Sequence, residues 1–287
     1  PKRIVFAEGE EEPVIRAALT FRNAGYGTPV LIGREDLIAE KIAALGLPGA
    51  ADIEVHNARI SHKNQKYTDY LYKRLQRSGQ LRRDCQRMVN QDRNIFAACM
   101  VALGDADGMV TGLTRNAPTS WNDILRAIDI RKGEELFGLS MMTARDRTVF
   151  IADTVVHEKP TAQQLADFAI QSAAKARAMG HEPRVALLSH TSFGGRNSER
   201  IDEIREAVRI LESKKRSFTF DGEMSVSTAL DPAMSSVYPF NRLGGPANVL
   251  IMPDLFSASI ASRLLQKLGG ANVIGPQLLG LSKPVEI

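Results

Sequence analysis

Short apolar runs alternate with longer stretches of helical period along the first third of the chain. Residues 4–7 read as a strand. After Pro13, Val14, Ile15, Ala18 and Leu19 recur at helical spacing until Gly25 closes the run. Residues 28–32 predict a second strand, Leu37, Ile38, Ile42 and Leu45 a second helical face, and residues 53–56 a third strand. Such alternation belongs to a parallel sheet with crossover helices. Residues 66–79 predict a helix with Tyr70, Leu71 and Leu75 inward, and residues 91–103 a helix leading into a buried strand at 107–110. Near Gly133 the pattern changes. Two apolar strands, 136–142 and 148–156, are joined by the charged turn 144–147, which predicts a hairpin. Thr161 and Gln164 stand at capping-box spacing, and Leu165, Phe168, Ala169, Ala173 and Ala176 keep helical period up to Gly180. Strands at 184–189, 218–220, 248–252 and 272–279 and helices at 199–213 and 257–268 complete the α/β pattern.

Composition narrows the classes. With 287 residues and 44% hydrophobic, the chain can bury a sizeable core as one large or two smaller α/β domains. A formal charge of +4 suits a phosphorylated small ligand as well as nucleic acid. Aromatics are only 6% and nowhere interleave with basic residues, so no nucleic-acid partner is expected. Arg74, Arg77, Arg82, Arg83, Arg87 and Arg93 form the most basic stretch, interrupted by Asp84 and Asp92. A solvated helix surface and a clamp for a nucleotide phosphate both fit it. Cys85 and Cys99 lack metal-ligand spacing and point to a reducing cytoplasm. No apolar run is long enough to cross a bilayer, so no membrane partner is expected. Pro1 is no translation start, and the chain reads as a piece of a longer polypeptide.

The candidate chemistry lies in two loops. Residues 104–126 run from a buried strand through Thr111 and Gly112 into a helix that Thr119 or Ser120 could cap, with Arg126 a turn on. An anion site fits these residues, as does an ordinary strand-to-helix corner with a structural arginine. The second loop carries Ser189, Thr191 and Ser192 with Gly194 and Gly195, and reads either as an oxyanion nest or as a polar turn. There is no phosphate loop of the nucleotide-hydrolase type, no dinucleotide fingerprint, no nucleophile elbow and no zinc helix around His157 and Glu158, so no metal site is expected. Asp153, Asp221 and Asp254 fall near strand ends with no visible partner.

Several of these runs carry a resemblance. Gly104-Asp-Ala-Asp-Gly-Met-Val-Thr-Gly, Ile151-Ala-Asp-Thr-Val-Val-His-Glu-Lys-Pro-Thr-Ala, Asp221-Gly-Glu-Met and Ala247-Asn-Val-Leu-Ile-Met-Pro-Asp-Leu resemble phosphate acetyltransferase (phosphotransacetylase). Residues 83–107, Thr111-Gly-Leu-Thr-Arg-Asn and Tyr238-Pro-Phe-Asn-Arg-Leu-Gly-Gly-Pro-Ala-Asn-Val-Leu are similar to the C-terminal phosphotransacetylase-like half of bacterial multidomain NADP-dependent malic enzymes. The resemblance implies a two-domain parallel and mixed α/β sandwich of isocitrate/isopropylmalate dehydrogenase type. Residues 1–134 with 275–287 would form the first domain, and residues 135–274 a second inserted into it. It further implies a homodimer or higher homo-oligomer and a site for acetyl-CoA, CoA or acetyl phosphate. A malic-enzyme part joined to this chain would use NADP and a divalent metal, Mg or Mn.

By the same resemblance Thr111 and Gly112 match the phosphate loop, Arg126 the loop-helix arginine, and Ser189, Thr191 and Ser192 the second loop. Departures follow. The family's catalytic Ser-Arg pair and later Asp lie beyond the motif at Leu281-Ser-Lys-Pro284, so no catalytic residue is assigned here. The family's arginine before Gly79 falls at Leu75, with Arg74 and Arg77 as stand-ins. Pro246 stands for a lysine, Phe256 for an asparagine, and Thr114-Arg-Asn for a His-Ser-Thr-like run. These departures imply a catalytically silent, acetyl-CoA-binding regulatory domain; the alternative is a working phosphate acetyltransferase.

Overall fold

The structure, a computed structural model, describes residues 1–46, 53–144, 147–195, 198–214 and 216–287. It divides into two compact units, Pro1–Ile130 with Leu281–Ile287, and Arg131–Gly280. In the first unit, strands β1 (Lys2–Phe6), β2 (Gly27–Ile32), β3 (Glu54–His56), β4 (Gly108–Val110) and β11 (Val285–Glu286) lie in the order β3-β2-β1-β4-β11. Every pairing among them is parallel. Helices α1 (Glu12–Asn23) and α2 (Glu35–Ala44) bury Ile15, Ala18, Leu19 and Ile38 against Phe6 and Leu31. Strand alternation turns Val5, Val30 and Ile32 the other way, also fully buried, so β1 and β2 are covered on both faces. Because the chain adds β2 and β3 on one side of β1 and later β4 on the other, the order switches between β1 and β4. Open sheets of this kind place ligands at such a switch, beside the carboxyl ends of the strands.

Two details of the first unit differ from the pattern in the sequence. The helix read at 66–79 is α3 (Asn64–Leu75) followed by a 3-10 turn, Gln76–Ser78, that stops at Gly79 with φ 82°. The helix read at 91–103 is two helices, α4 (Arg82–Gln91) and α5 (Arg93–Ala102), broken at Asp92. Asp92 adopts extended backbone and its carboxylate accepts the Asn94 and Ile95 N–H groups, the competition that short acidic side chains offer at helix starts. The final strand β11 has no sequence signal. Two residues, Val285 and Glu286, join β4 in parallel, and only tertiary pairing makes them a strand.

The second unit is mixed. Strands β5 (Phe137–Ala144), β6 (Arg147–Ala152), β7 (Arg184–Leu188), β8 (Thr219–Met224), β9 (Val249–Ile251) and β10 (Asn272–Leu279) run in the order β10-β5-β6-β9-β7-β8. β10 and β6 flank β5 antiparallel, whereas the β6-β9, β9-β7 and β7-β8 pairs are parallel. The expected hairpin is present as β5 and β6, although Arg145 and Asp146 of its turn lie outside the described residues. Phe150, Val185, Leu187, Val249 and Ile251 face α7 (Ala162–Ala178) and α8 (Glu199–Ser213). The alternate positions Ile151, Ala186, Leu188 and Leu250 face α9 (Val226–Leu230) and α10 (Leu255–Leu268). The capping box at the start of α7 forms as the spacing predicts, with Thr161 and Gln164 exchanging side-chain-to-backbone bonds. β6 ends at Ala152 rather than near residue 156, since the Asp153 carboxylate takes the N–H groups of Val155, Val156 and His157 away from any ladder.

Candidate functional site

In the first unit, β1 delivers Glu8 and β4 delivers Thr111 to the carboxyl side of the switch. Glu8 is 2% exposed. Its carboxylate accepts the N–H groups of Leu113 and Thr114 at 2.7 Å and the Thr114 hydroxyl as well. Burial alone would raise its pKa, but these donors, with Arg93 nearby, hold it below the usual carboxylate range. The Leu113 and Thr114 N–H groups of this loop are thus taken by the protein's own glutamate. Gly112 turns at φ 101°, where a side chain would also crowd the Ile287 backbone. Thr111 donates its hydroxyl to Asn94 Oδ1 at 2.6 Å, leaving Asn94 Nδ2 buried without a partner.

The helix after this loop, α6 (Ala117–Leu125), starts earlier than the sequence suggests. Asn116 caps it by accepting the Thr119 N–H, while Ser120 is wholly buried inside the first turn. Arg126 therefore sits at the helix carboxyl end, remote along the helix from the cap. Its guanidinium lies 3.6 Å from Met88 Sδ and makes no ion pair among the described residues. Arg74 is committed: it pairs with Asp129 at 2.9 and 2.7 Å, donates to the Arg126 carbonyl and lies over the Tyr70 ring. Arg77 is exposed on the 3-10 turn. Other members of the basic run are also paired, Arg82 with Asp69 and Arg87 with Asp84.

The second unit repeats the arrangement at the ends of β7 and β8. Glu223, 2% exposed, accepts the Gly194 N–H at 3.0 Å and is held by Arg205 at 2.8 and 2.9 Å. Burial opposes its ionisation, yet Arg205 and the loop N–H keep its pKa low. Ser192 bridges to Ser225 and Thr228 and accepts the Ser225 N–H at 2.9 Å, so its hydroxyl fastens the start of α9. Ser189 Oγ takes the Thr191 N–H at a long 3.5 Å. Thr191 Oγ1 is buried and unpartnered, with Gly195 so near that any side chain there would collide with it. Of the hydroxyls expected to act in this loop, Ser192 is engaged, Ser189 only accepts, and Thr191 has no partner among the described residues, so Ser189 and Thr191 each keep a donor.

The three aspartates read as unpaired in sequence all find partners. Asp153 collects four backbone N–H groups and the Nδ1 of His157 at 2.9 Å. Asp221 pairs with Arg242 at 2.7 Å, and Asp254 caps α10. Both thiols are buried, and burial pushes Cys99 up to about 12, so neither is poised as a nucleophile. The residues that the sequence missed, Glu8, Asn94, Glu223 and Arg205, bind partners far along the chain; Glu8 and Leu113 are separated by 105 positions. No local spacing carries that information.

In both units these loops follow the carboxyl ends of parallel strands, the place where open α/β sheets carry their ligand sites. The chain matches the phosphate acetyl/butaryl transferase family over residues 1–287, and it belongs to that family. It is 51% identical over its whole length to an NADP-dependent malic enzyme of Rhizobium meliloti, covering 38% of that enzyme. It is 31% identical to a phosphate acetyltransferase of Clostridium acetobutylicum, covering 99% of this chain and 87% of that protein. The chain spans about two fifths of the length of the malic enzymes it matches. Among solved structures, a phosphotransacetylase from Streptococcus pyogenes superposes with TM-score 0.91 at 29% identity, covering 99% of this chain and 87% of that one. A 4-hydroxythreonine-4-phosphate dehydrogenase from Klebsiella pneumoniae, at 12% identity and TM-score 0.54, covers 100% of this chain and 90% of that one and shares the fold alone.

Proposed function

We propose that this chain is the acetyl-CoA-binding, phosphotransacetylase-like part of an NADP-dependent malic enzyme, a cytoplasmic protein in which it regulates rather than catalyses. The observation that carries this reading is the 51% identity to such an enzyme along the full chain. The oxidative decarboxylation of malate to pyruvate, with NADP and Mg or Mn, would belong to the covalently linked malic-enzyme part. The division into two compact units, one continuous in sequence between the two parts of the other, supports reading the chain as two domains.

Of the candidate ligand residues, Arg126 and Thr191 have the chemistry to spare for a phosphate or thioester oxygen, and Arg77 is exposed to one. Ser189 keeps its O–H donor as well, whereas Thr111, Gly112, Arg74 and Ser192 would shape their loops, since their donors and backbone are already engaged or conformationally set. The alternative, a working phosphate acetyltransferase, is supported by the 31% identity to an enzyme of similar length. One experiment separates them. Calorimetry with acetyl-CoA is expected to show binding, while CoA and acetyl phosphate give no turnover. A rate on the order of 10 s⁻¹ would establish the alternative, and no heat with acetyl-CoA would remove the ligand altogether.

A further inference from the structure

Beside the switch, the carboxyl ends of β2 and β3 enclose a separate cavity of about 270 Å³. Its wall takes Arg34 from the end of β2, Arg59 from the turn after β3, and Arg93 from the first turn of α5. Glu10 is the only carboxylate in the lining. It is spent on Arg34, accepting from the Arg34 Nε and Nη2 at 3.1 Å each and from the Arg34 N–H at 2.9 Å. Gly33 makes this latch possible, because a side chain there would press on the Glu10 chain at 2.7 Å. The Arg59 backbone N–H donates to Asn57 Oδ1 at 3.1 Å, but the guanidinium groups of Arg59 and Arg93 make no hydrogen bond or ion pair among the described residues, although Arg93 feels the charges of Glu8 and Glu10. Glu8 in turn is saturated by the Leu113 and Thr114 donors. Nor does the start of α5 supply donors, since Asp92 already caps it.

The cavity therefore holds two guanidinium charges beyond what its carboxylate neutralises, at strand ends where small ligands bind. Guanidinium forks match the paired oxygens of phosphate and carboxylate. Asn90, also in the wall, has a buried Oδ1 with no partner, an acceptor waiting for a hydroxyl or N–H. We propose that this cavity is a binding site for a small hydroxylated dianion, a sugar phosphate or a dicarboxylate, distinct from any acetyl-CoA site. None of its wall residues belongs to the two loops, so the proposal stands apart from the acetyl-CoA reading.

Calorimetry of the whole chain with ribose 5-phosphate, inorganic phosphate and malate, each with and without saturating CoA, tests it. We expect ribose 5-phosphate or malate to bind and CoA not to displace it; the tighter of the two identifies the source of the dianion. Arg59→Ala and Arg93→Ala should each weaken that binding at least about tenfold, as loss of a charge-assisted fork does, and raised salt should weaken it further. Should Arg93→Ala fold poorly, Arg93→Lys keeps the charge, loses the fork, and should still bind more weakly. Absence of heat with all three probes at concentrations on the order of 10 mM would overturn the site. So would unchanged affinity in both arginine variants, or displacement of the dianion by CoA.

Discussion

Single side chains decide what the two loops can do. Glu8 is a buried anion that substitutes for an external one, and its removal would strand the Leu113 and Thr114 N–H groups. We expect Glu8→Ala to cost about 2–4 kcal/mol, because buried charge-assisted bonds leave costly orphans when one partner is lost; chemical denaturation measures it. Arg126 contrasts with it. Among the described residues its guanidinium meets only the Met88 sulfur at bonding distance, so Arg126→Ala should weaken acetyl-CoA binding with little change in melting temperature. Equal binding by calorimetry would remove Arg126 from the ligand site, and a large melting loss would make it a structural residue. Neither outcome was readable from residues 104–126 alone, where ligand arginine and corner arginine look the same.

At the scale of elements, periodicity was legible wherever one face of a strand or helix is buried. The helix from Ala162 and the two-sided burial of β6, β7 and β9 follow directly from their spacing. Phe168 lies wholly buried against Phe137, ring centroids 4.6 Å apart, and Phe168→Ala should destabilise the second unit by about 3–5 kcal/mol. The break at Asp92 was not legible, since a capping aspartate and a surface aspartate inside a helix have the same sequence. α10 is half an element: only Ala258 is buried, while Phe256, Ile260, Leu264 and Leu268 are 60%, 60%, 53% and 83% exposed at a spacing of four. We propose that this stripe meets its counterpart on a second copy, in line with the homo-oligomer that the family resemblance implies. Leu264→Glu should leave the fold intact and lower the mass seen by light scattering; an unchanged mass would place any self-association elsewhere.

For the molecule as a whole, acid is the most informative variable. Glu10 is held low by Arg34, Glu54 by Arg3, and Glu8 and Glu223 by their donors against the opposing pull of burial. A group whose folded pKa is depressed contributes stability fully present above its unfolded value and lost as pH falls through the folded one. Stability should therefore be flat above pH of about 5 and drop steeply below about 4, where unfolded carboxylates titrate. A fluorescence melt series over that range checks this; no loss below pH of about 4 would show that these carboxylates are not what acid attacks.

The alternation of most strands and helices, the change of pattern near Gly133, the two small-residue loops and the family resemblance were all set by the sequence, because each is written in neighbouring residues. Tertiary structure alone decided which anion each loop holds, where Arg126 and Arg74 are employed, that Val285 and Glu286 form a strand, and that Arg34, Arg59 and Arg93 meet around one cavity. Those facts depend on groups brought together by sheet order across long separations, and a carboxylate's charge carries no record in sequence of which distant donor will satisfy it.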